Sequence, residues 1–261
     1  MNYVSAGRGA PPLVFVHGFA CSHEDWAPQL AHFQKSSLVL ACDLRAHGAT
    51  PGRAAECSIE NYGGDVAALV NNLGLSDCIL VGHSMGCRVV LEAARINPEP
   101  VAGLVLIDGS RQASGNPAQA EAGMRAAIDA VGFPAFIESA FRQMFLQWSA
   151  QAEAILARVK RLPADVGAAL WPRMARWDAE YLDAALAAVR APLTVIQSTY
   201  IDASRRRAAL AAGQTTPWLD LVRSRVPGAR IEVIPGVGHF TQLEAADKVN
   251  ALIAELAAAR R

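Results

Sequence analysis

Apolar residues in this chain gather into short, nearly continuous runs separated by longer stretches with helical spacing. Residues 12–16, 38–42, 78–81 and 101–107 are such runs, and each reads as a strand buried on both faces. Between them, residues 24–33 bring Trp26, Leu30 and Phe33 onto one side of a helix. Ser58 is placed to cap a second helix that extends to Leu73 and stops at Gly74. Residues 88–95 form a third helix with one apolar face. Strand and helix alternate throughout, which predicts an α/β fold with a mostly parallel, doubly wound sheet covered by helices on both sides.

The rhythm breaks at residue 111. Through residue 190 there is no convincing strand, only alanine-rich helical segments carrying Met124, Phe133, Phe136, Phe141, Met144, Phe145, Trp148, Trp171, Met174 and Trp177. The sheet pattern resumes at residues 192–197, followed by a polar loop and by Thr216-Pro217, a capping residue and first-turn proline that open a helix. A last strand at 230–234, a turn at 235–240 and an amphipathic helix from 242 to 259 complete the pattern. The expected organisation is one core domain, 1–110 with 191–261, and a helical cap, 111–190, inserted between two strands. Its aromatics serve either as ordinary core or as the wall of an apolar pocket.

Composition narrows the possibilities. The 261 residues are 52% hydrophobic, enough for one large core, and Lys+Arg (24) balances Asp+Glu (24). No basic face is advertised, so nucleic acid is not an expected partner. Arg205-Arg206-Arg207 reads as a solvated cluster. The start of the chain lacks the build of a signal peptide and no apolar run reaches membrane-spanning length, so a cytoplasmic protein without a membrane partner is expected. Five cysteines, Cys21, Cys42, Cys57, Cys78 and Cys87, fit no metal spacing and read as reduced, mostly buried thiols.

Candidate chemistry centres on Gly82-His83-Ser84-Met85-Gly86, a G-x-S-x-G between a strand and a helix. A serine on so sharp a turn is held in strained geometry with its hydroxyl above the sheet, and the first helical turn points free N–H groups at the same place. Of six histidines, only His239 lies in a loop just past a late strand, where it can reach Ser84 as a general base. The strand ends at Phe19, Ser84 and Asp108 fall on the side where ligands bind in such sheets. Asp43 and Arg45 read as braces of a turn-rich loop. Two aspartates could orient His239. Asp202 follows the late strand but without a glycine turn, whereas Asp108 directly ends the strand beside the elbow strand. The reading favours Asp108, with Asp202 as the alternative acid.

The segments Val16-His17-Gly18-Phe19, Asp43-Leu44-Arg45-Ala46-His47-Gly48, Gly82-His83-Ser84-Met85-Gly86 and Gly238-His239-Phe240 resemble those of the α/β-hydrolase superfamily, most of all its small esterases, enol-lactonases and carbon–carbon bond hydrolases. The resemblance spans essentially the whole chain, with the usual first strand expected to be missing. It implies a serine hydrolase acting on a carboxylic ester or lactone of a small, largely apolar substrate through Ser84, His239 and an aspartate. The oxyanion would lie on the backbone N–H groups of Phe19 and Met85. Phe145, Trp148 and Trp177 would line the substrate pocket. No metal or organic cofactor is implied. Ser84 excludes the aspartate nucleophile of related dehalogenases and epoxide hydrolases. Carbon–carbon hydrolase, perhydrolase or cofactor-free dioxygenase chemistry stays open on the same fold, as does a non-catalytic ligand-binding role. The sequence leaves the oligomeric state open.

Overall fold

The computed structural model describes residues 1–202, 204 and 206–260. Arg205 of the arginine cluster lies outside the described residues. In chain order the elements are β1 (Tyr3–Ala6), β2 (Leu13–Val16), α1 (Ala27–Phe33), β3 (Val39–Cys42), α2 (Ile59–Asn72), β4 (Cys78–His83), α3 (Met85–Ile96) and β5 (Val101–Ile107). Helices α4 (Pro117–Asp129), α5 (Phe133–Arg142), α6 (Ala150–Val159), α7 (Ala164–Glu180) and α8 (Leu182–Ala187) follow. The chain then forms β6 (Leu193–Gln197), β7 (Thr199–Ile201), β8 (Arg207–Ala209), α9 (Pro217–Arg225), β9 (Arg230–Val233), α10 (Thr241–Glu244) and α11 (Ala246–Ala258).

Seven strands form one sheet in the order β1-β3-β2-β4-β5-β6-β9, parallel except for β1, which runs antiparallel to β3 at the edge. Residues 3–6 escape the hydropathy reading because an edge strand exposed on alternate residues has no continuous apolar run. The inner strands are the runs read from sequence, and β2, β3, β4 and β6 are buried along their whole length. Their side chains divide by the period of two. Val14, Val16, Leu40, Leu80, Leu104 and Val195 join one core layer, whereas Leu13, Phe15, Val39, Ile79, Val105 and Ile196 join the other. Helices α2 and α3 pack on the first layer, while α1 and α11 cover the second.

Several boundaries have local causes. Ser58 accepts a hydrogen bond from the Asn61 amide at the start of α2, a cap worth about 1 kcal/mol. The expected helix at 24–33 is split into a 3₁₀ turn, His23–Trp26, and α1. Pro28 has no N–H to return to the preceding turn, so the α-helical ladder starts anew. The polar loop expected after β6 contains a two-stranded hairpin, β7–β8. Its turn is organised by Asp202, whose carboxylate accepts from the amides of Ser204 and Arg206.

The sheet reverses direction of growth at β2. From there the chain steps outward to β3 and then returns to β4 on the other side. The carboxyl ends of β2 and β4 therefore border a crevice, and the loops after them carry Phe19 and Ser84. Helices α4 to α8 lie between β5 and β6 in the chain. No helix among the described residues is long and apolar enough to cross a membrane.

Candidate active site

Ser84 occupies the single residue between β4 and α3, with φ 55° and ψ −112°. That left-handed conformation costs a non-glycine residue about 1–3 kcal/mol. It is held from both sides: the Ser84 amide donates to Ile107 O (2.9 Å), and Ser84 O accepts from the Cys87 amide (3.1 Å). The turn also demands missing side chains. A Cβ on Gly82 would lie 2.3 Å from Gly86 O, and one on Gly86 would lie 2.2 Å from Val16 O. Both obstacles are backbone, so neither can swing aside.

His239 reaches Ser84 from the loop after β9. Its Nε2 lies 2.8 Å from Ser84 Oγ, and its Nδ1 lies 2.5 Å from Asp108 Oδ2. The loop is clamped at four points. The His239 amide donates to Met144 O (2.7 Å), His83 Nε2 donates to His239 O (2.9 Å), Ser198 Oγ donates to Gly238 O (2.7 Å), and the Gly238 amide donates to Glu244 Oε2 (2.8 Å). Asp108 itself has φ 47° at the end of β5. Its Oδ1 accepts from the amides of Ser198 and Thr199, both at 2.8 Å. Its Oδ2 accepts from His239 Nδ1 and from the Thr199 hydroxyl in a short bond. Four donors fill the four acceptor positions of an ionised carboxylate.

Of the two aspartates weighed from sequence, the structure thus brings Asp108 to His239. Asp202, the alternative acid, is corrected: it stands in the β7–β8 turn, and its carboxylate is committed to backbone amides there. The reason is the hairpin, which carries the chain away from His239 after β6. In place of an acid, the end of β6 supplies Ser198 and Thr199, the donors that hold Asp108.

The electrostatics favour a neutral imidazole beside an ionised carboxylate. Burial and the Arg207 charge hold the His239 pKa well below its ordinary value, against the opposing pull of Asp108. For Asp108, burial opposes ionisation, but the His239 hydrogen bond and the charges of His239 and Arg207 outweigh it and leave its pKa below the ordinary carboxylate value. Burial also lowers the His83 pKa to about 3, and its Nε2 proton is assigned by the carbonyl that accepts it. Among the described residues no cluster of three or more His, Cys, Asp or Glu side chains could hold a metal ion.

Two cavities adjoin the site. A chamber of about 30 Å³, room for little more than one water, is bordered by Ser84, His239, Phe19, Met85, Arg88 and Arg207. The Phe19 loop presses close: a Cβ on Gly18 would lie 3.2 Å from Ser84 Cβ. A vestibule of about 550 Å³ lies beyond, walled by Met124, Val131, Phe136, Met144, Trp171 and Ile201. Ser110, Gln112, Met144, Trp171 and Arg207 border both and mark the neck between them.

The three aromatics expected to line a pocket border neither cavity. Trp177 is fully buried in the core and Trp148 is 43% exposed, its indole N–H donating to Glu153 and Arg142 lying over its ring. Phe145 stacks on Phe240, with ring centroids 5.1 Å apart, behind the His239 loop. The pocket wall is instead Trp171, which meets Phe19 edge-on at 4.7 Å and Phe136 at 5.3 Å. Helical phase decides this, and a segment apolar on several faces does not reveal its phase in the sequence. Neither Arg207 nor Gln112 stands out in the sequence as a site residue. Arg207, expected to be solvated, has a side chain that is only 9% exposed. Asp43 and Arg45 are braces: Asp43 accepts from the amides of His23 and Ala49, and Arg45 pairs with Asp65.

A parallel sheet with a serine elbow after its central strand and a histidine after its last strand defines a hydrolase-type architecture. The model of the alpha/beta hydrolase family matches residues 13–252, and the chain belongs to that family. One similar protein is the dihydrolipoyllysine-residue acetyltransferase component of an acetoin cleaving system from Pseudomonas putida, 27% identical over 94% of this chain and 62% of that protein. Another is a bifunctional esterase/perhydrolase from Acinetobacter calcoaceticus, 39% identical over 38% of this chain and 37% of that protein. The chain thus spans less than two thirds of the length of these relatives. Among solved structures, a thermophilic esterase from Thermogutta terrifontis superposes with a TM-score of 0.78 at 23% identity, covering 97% of this chain and 91% of that one. An enol-lactonase from Burkholderia xenovorans gives 0.76 at 21% identity, covering 98% and 95%. At these identities the structural likeness speaks for the fold alone.

Proposed function

We propose that the protein is a serine hydrolase that cleaves a carboxylic ester or lactone of a small, largely apolar substrate. The observation that carries this reading is the unbroken chain from Ser84 Oγ through His239 to Asp108, opening onto a cavity. Neutral His239 takes the Ser84 proton as Oγ attacks the carbonyl, and the Asp108 charge stabilises the imidazolium that forms. The negative charge moves to the carbonyl oxygen, held by the N–H groups of Phe19 and Met85, each donor being worth roughly 3–4 kcal/mol. His239 returns the proton to the departing alkoxide. Water, deprotonated by the same imidazole, then attacks the acyl-enzyme and releases the acid and Ser84.

In this reading residues 111–190 act as a cap that shapes the substrate space, with Trp171 and Phe136 as its inner wall. The partner is a small molecule, not nucleic acid or membrane, and the cytoplasm is the proposed location. Relatives named as esterases, lactonases and perhydrolases make the same chemistry reasonable here without fixing its substrate. The test is labelling by a fluorophosphonate together with turnover of a panel of alkyl esters and lactones. Wild type should label and turn over, and Ser84→Ala should do neither while keeping its melting temperature. Retention of more than a few per cent of turnover in Ser84→Ala would remove Ser84 as nucleophile.

A further inference from the structure

Two arginines border the chamber over Ser84, and they differ in one respect. Arg88 is spent: its Nε and Nη2 each lie 2.7 Å from an Asp178 oxygen, and Nη2 also donates to Ser110 O. Arg207 is not. Among the described residues its guanidinium makes one hydrogen bond, from Nη1 to Thr199 Oγ1 at 2.7 Å. The nearest carboxylate oxygen, Asp108 Oδ2, is 3.6 Å from Nη1, and both Asp108 oxygens are already filled by other donors. A guanidinium carries five N–H donors in a planar fork, so most of this one's capacity is unused. The unspent donors keep solvent contact through the cavity, where an anion would complete the fork.

The unused donors face a defined place. Arg207 borders both the Ser84 chamber and the vestibule, at the neck between them. A guanidinium with open donors at a constriction between a serine nucleophile and an apolar vestibule describes a site whose missing partner arrives with the substrate. We propose that Arg207 is a carboxylate-recognition subsite, and that the substrate is an ester or lactone bearing a free carboxylate a few bonds from its scissile carbonyl. The remaining, apolar part of the substrate lies in the vestibule. This rests on the serine-hydrolase reading for its reaction, but the anion subsite stands on its own geometry.

The experiment compares ethyl hydrogen succinate with its neutral isostere ethyl 4-methylpentanoate, followed by pH-stat. Wild type should prefer the acidic ester in kcat/KM. In Arg207→Gln the ratio of the two kcat/KM values should fall about 50-fold, the effect of losing one or two charge-assisted hydrogen bonds. Arg207→Lys, which keeps the charge but not the fork, should fall between. A wild-type preference for the neutral ester overturns the proposal, whether or not the variants fold. So does an equal loss on both substrates, which would mean that Arg207 acts only through Asp108 and His239. Binding is read separately as the thermal shift produced by succinate. Should neither ester be cleaved and Ser84 resist the fluorophosphonate, the hydrolase reading fails. Stabilisation of wild type but not Arg207→Gln by succinate would then still support the subsite, and its absence would end it.

Discussion

Replacing Asp108 by asparagine changes one atom and reverses two hydrogen bonds, those with His239 Nδ1 and with the Thr199 hydroxyl. Oδ1 can still accept from the Ser198 and Thr199 amides, so the loop after β6 keeps its anchor. At the other position an NH₂ now faces His239 Nδ1, which must become the acceptor. The imidazole proton moves to Nε2, and that nitrogen can no longer take the proton of Ser84 Oγ, 2.8 Å away. The Arg207 guanidinium also loses the anion nearest to it. A wrong tautomer and a lost counter-charge together cost about 10⁴-fold in kcat, or about 5.5 kcal/mol of transition-state stabilisation. Asp202→Asn is the matched control. Its remaining oxygen still accepts from the Ser204 and Arg206 amides, so activity should stay within about threefold of wild type, the surface change being worth about 0.5 kcal/mol or less. The assay is kcat on a chromogenic ester for both variants, with circular dichroism melting to establish folding. A folded Asp108→Asn with near-normal turnover, or a larger loss in Asp202→Asn, would falsify the assignment of Asp108.

Three further outcomes can be checked. Gly86→Ala places a Cβ 2.2 Å from Val16 O, so either β2 or the elbow must shift; labelling of Ser84 should fall at least tenfold, and normal labelling would contradict the close approach. Trp171→Ala should alter relative kcat/KM across acyl chain lengths several-fold because it walls both cavities, whereas Trp148→Ala should leave that ranking unchanged; the opposite pattern would reassign the pocket wall. Acid should destabilise the fold through buried neutral histidines: burial holds His17 and His83 at about 3 and His47 at about 4. Their folded pKa values lie below the unfolded value near 6.5, so the unfolded chain takes up protons first. Stability is intact above that pH and is lost as pH falls toward 4, by about 2 kcal/mol per histidine at pH 5. A melting temperature flat from pH 7 to 5 would contradict this.

Sequence alone determined what depends on neighbours along the chain. Continuous apolar runs could only be strands buried on both faces, and β2 to β6 of the sheet lie where those runs are. The glycines around Ser84 stated that strand and helix approach closely there, and the position of His239 after the last strand placed it above the same sheet edge. The partner of His239 was nearly legible, because Asp108 ends a strand next to the elbow strand, but choosing it over Asp202 required the hairpin that turns the chain away after β6. The pocket wall was not legible. Helices α4 to α8 are apolar on several faces, and only their packing decides that Trp171 faces Ser84 while Trp177 is core and Trp148 is half exposed. Arg207 shows the limit most clearly. In sequence it is one of three adjacent arginines, a pattern that reads as solvated charge. Its contact with Thr199 is made within the β7–β8 hairpin, but its burial beside Asp108 depends on the end of β5, far away in sequence, and no local pattern encodes a contact made across the sheet.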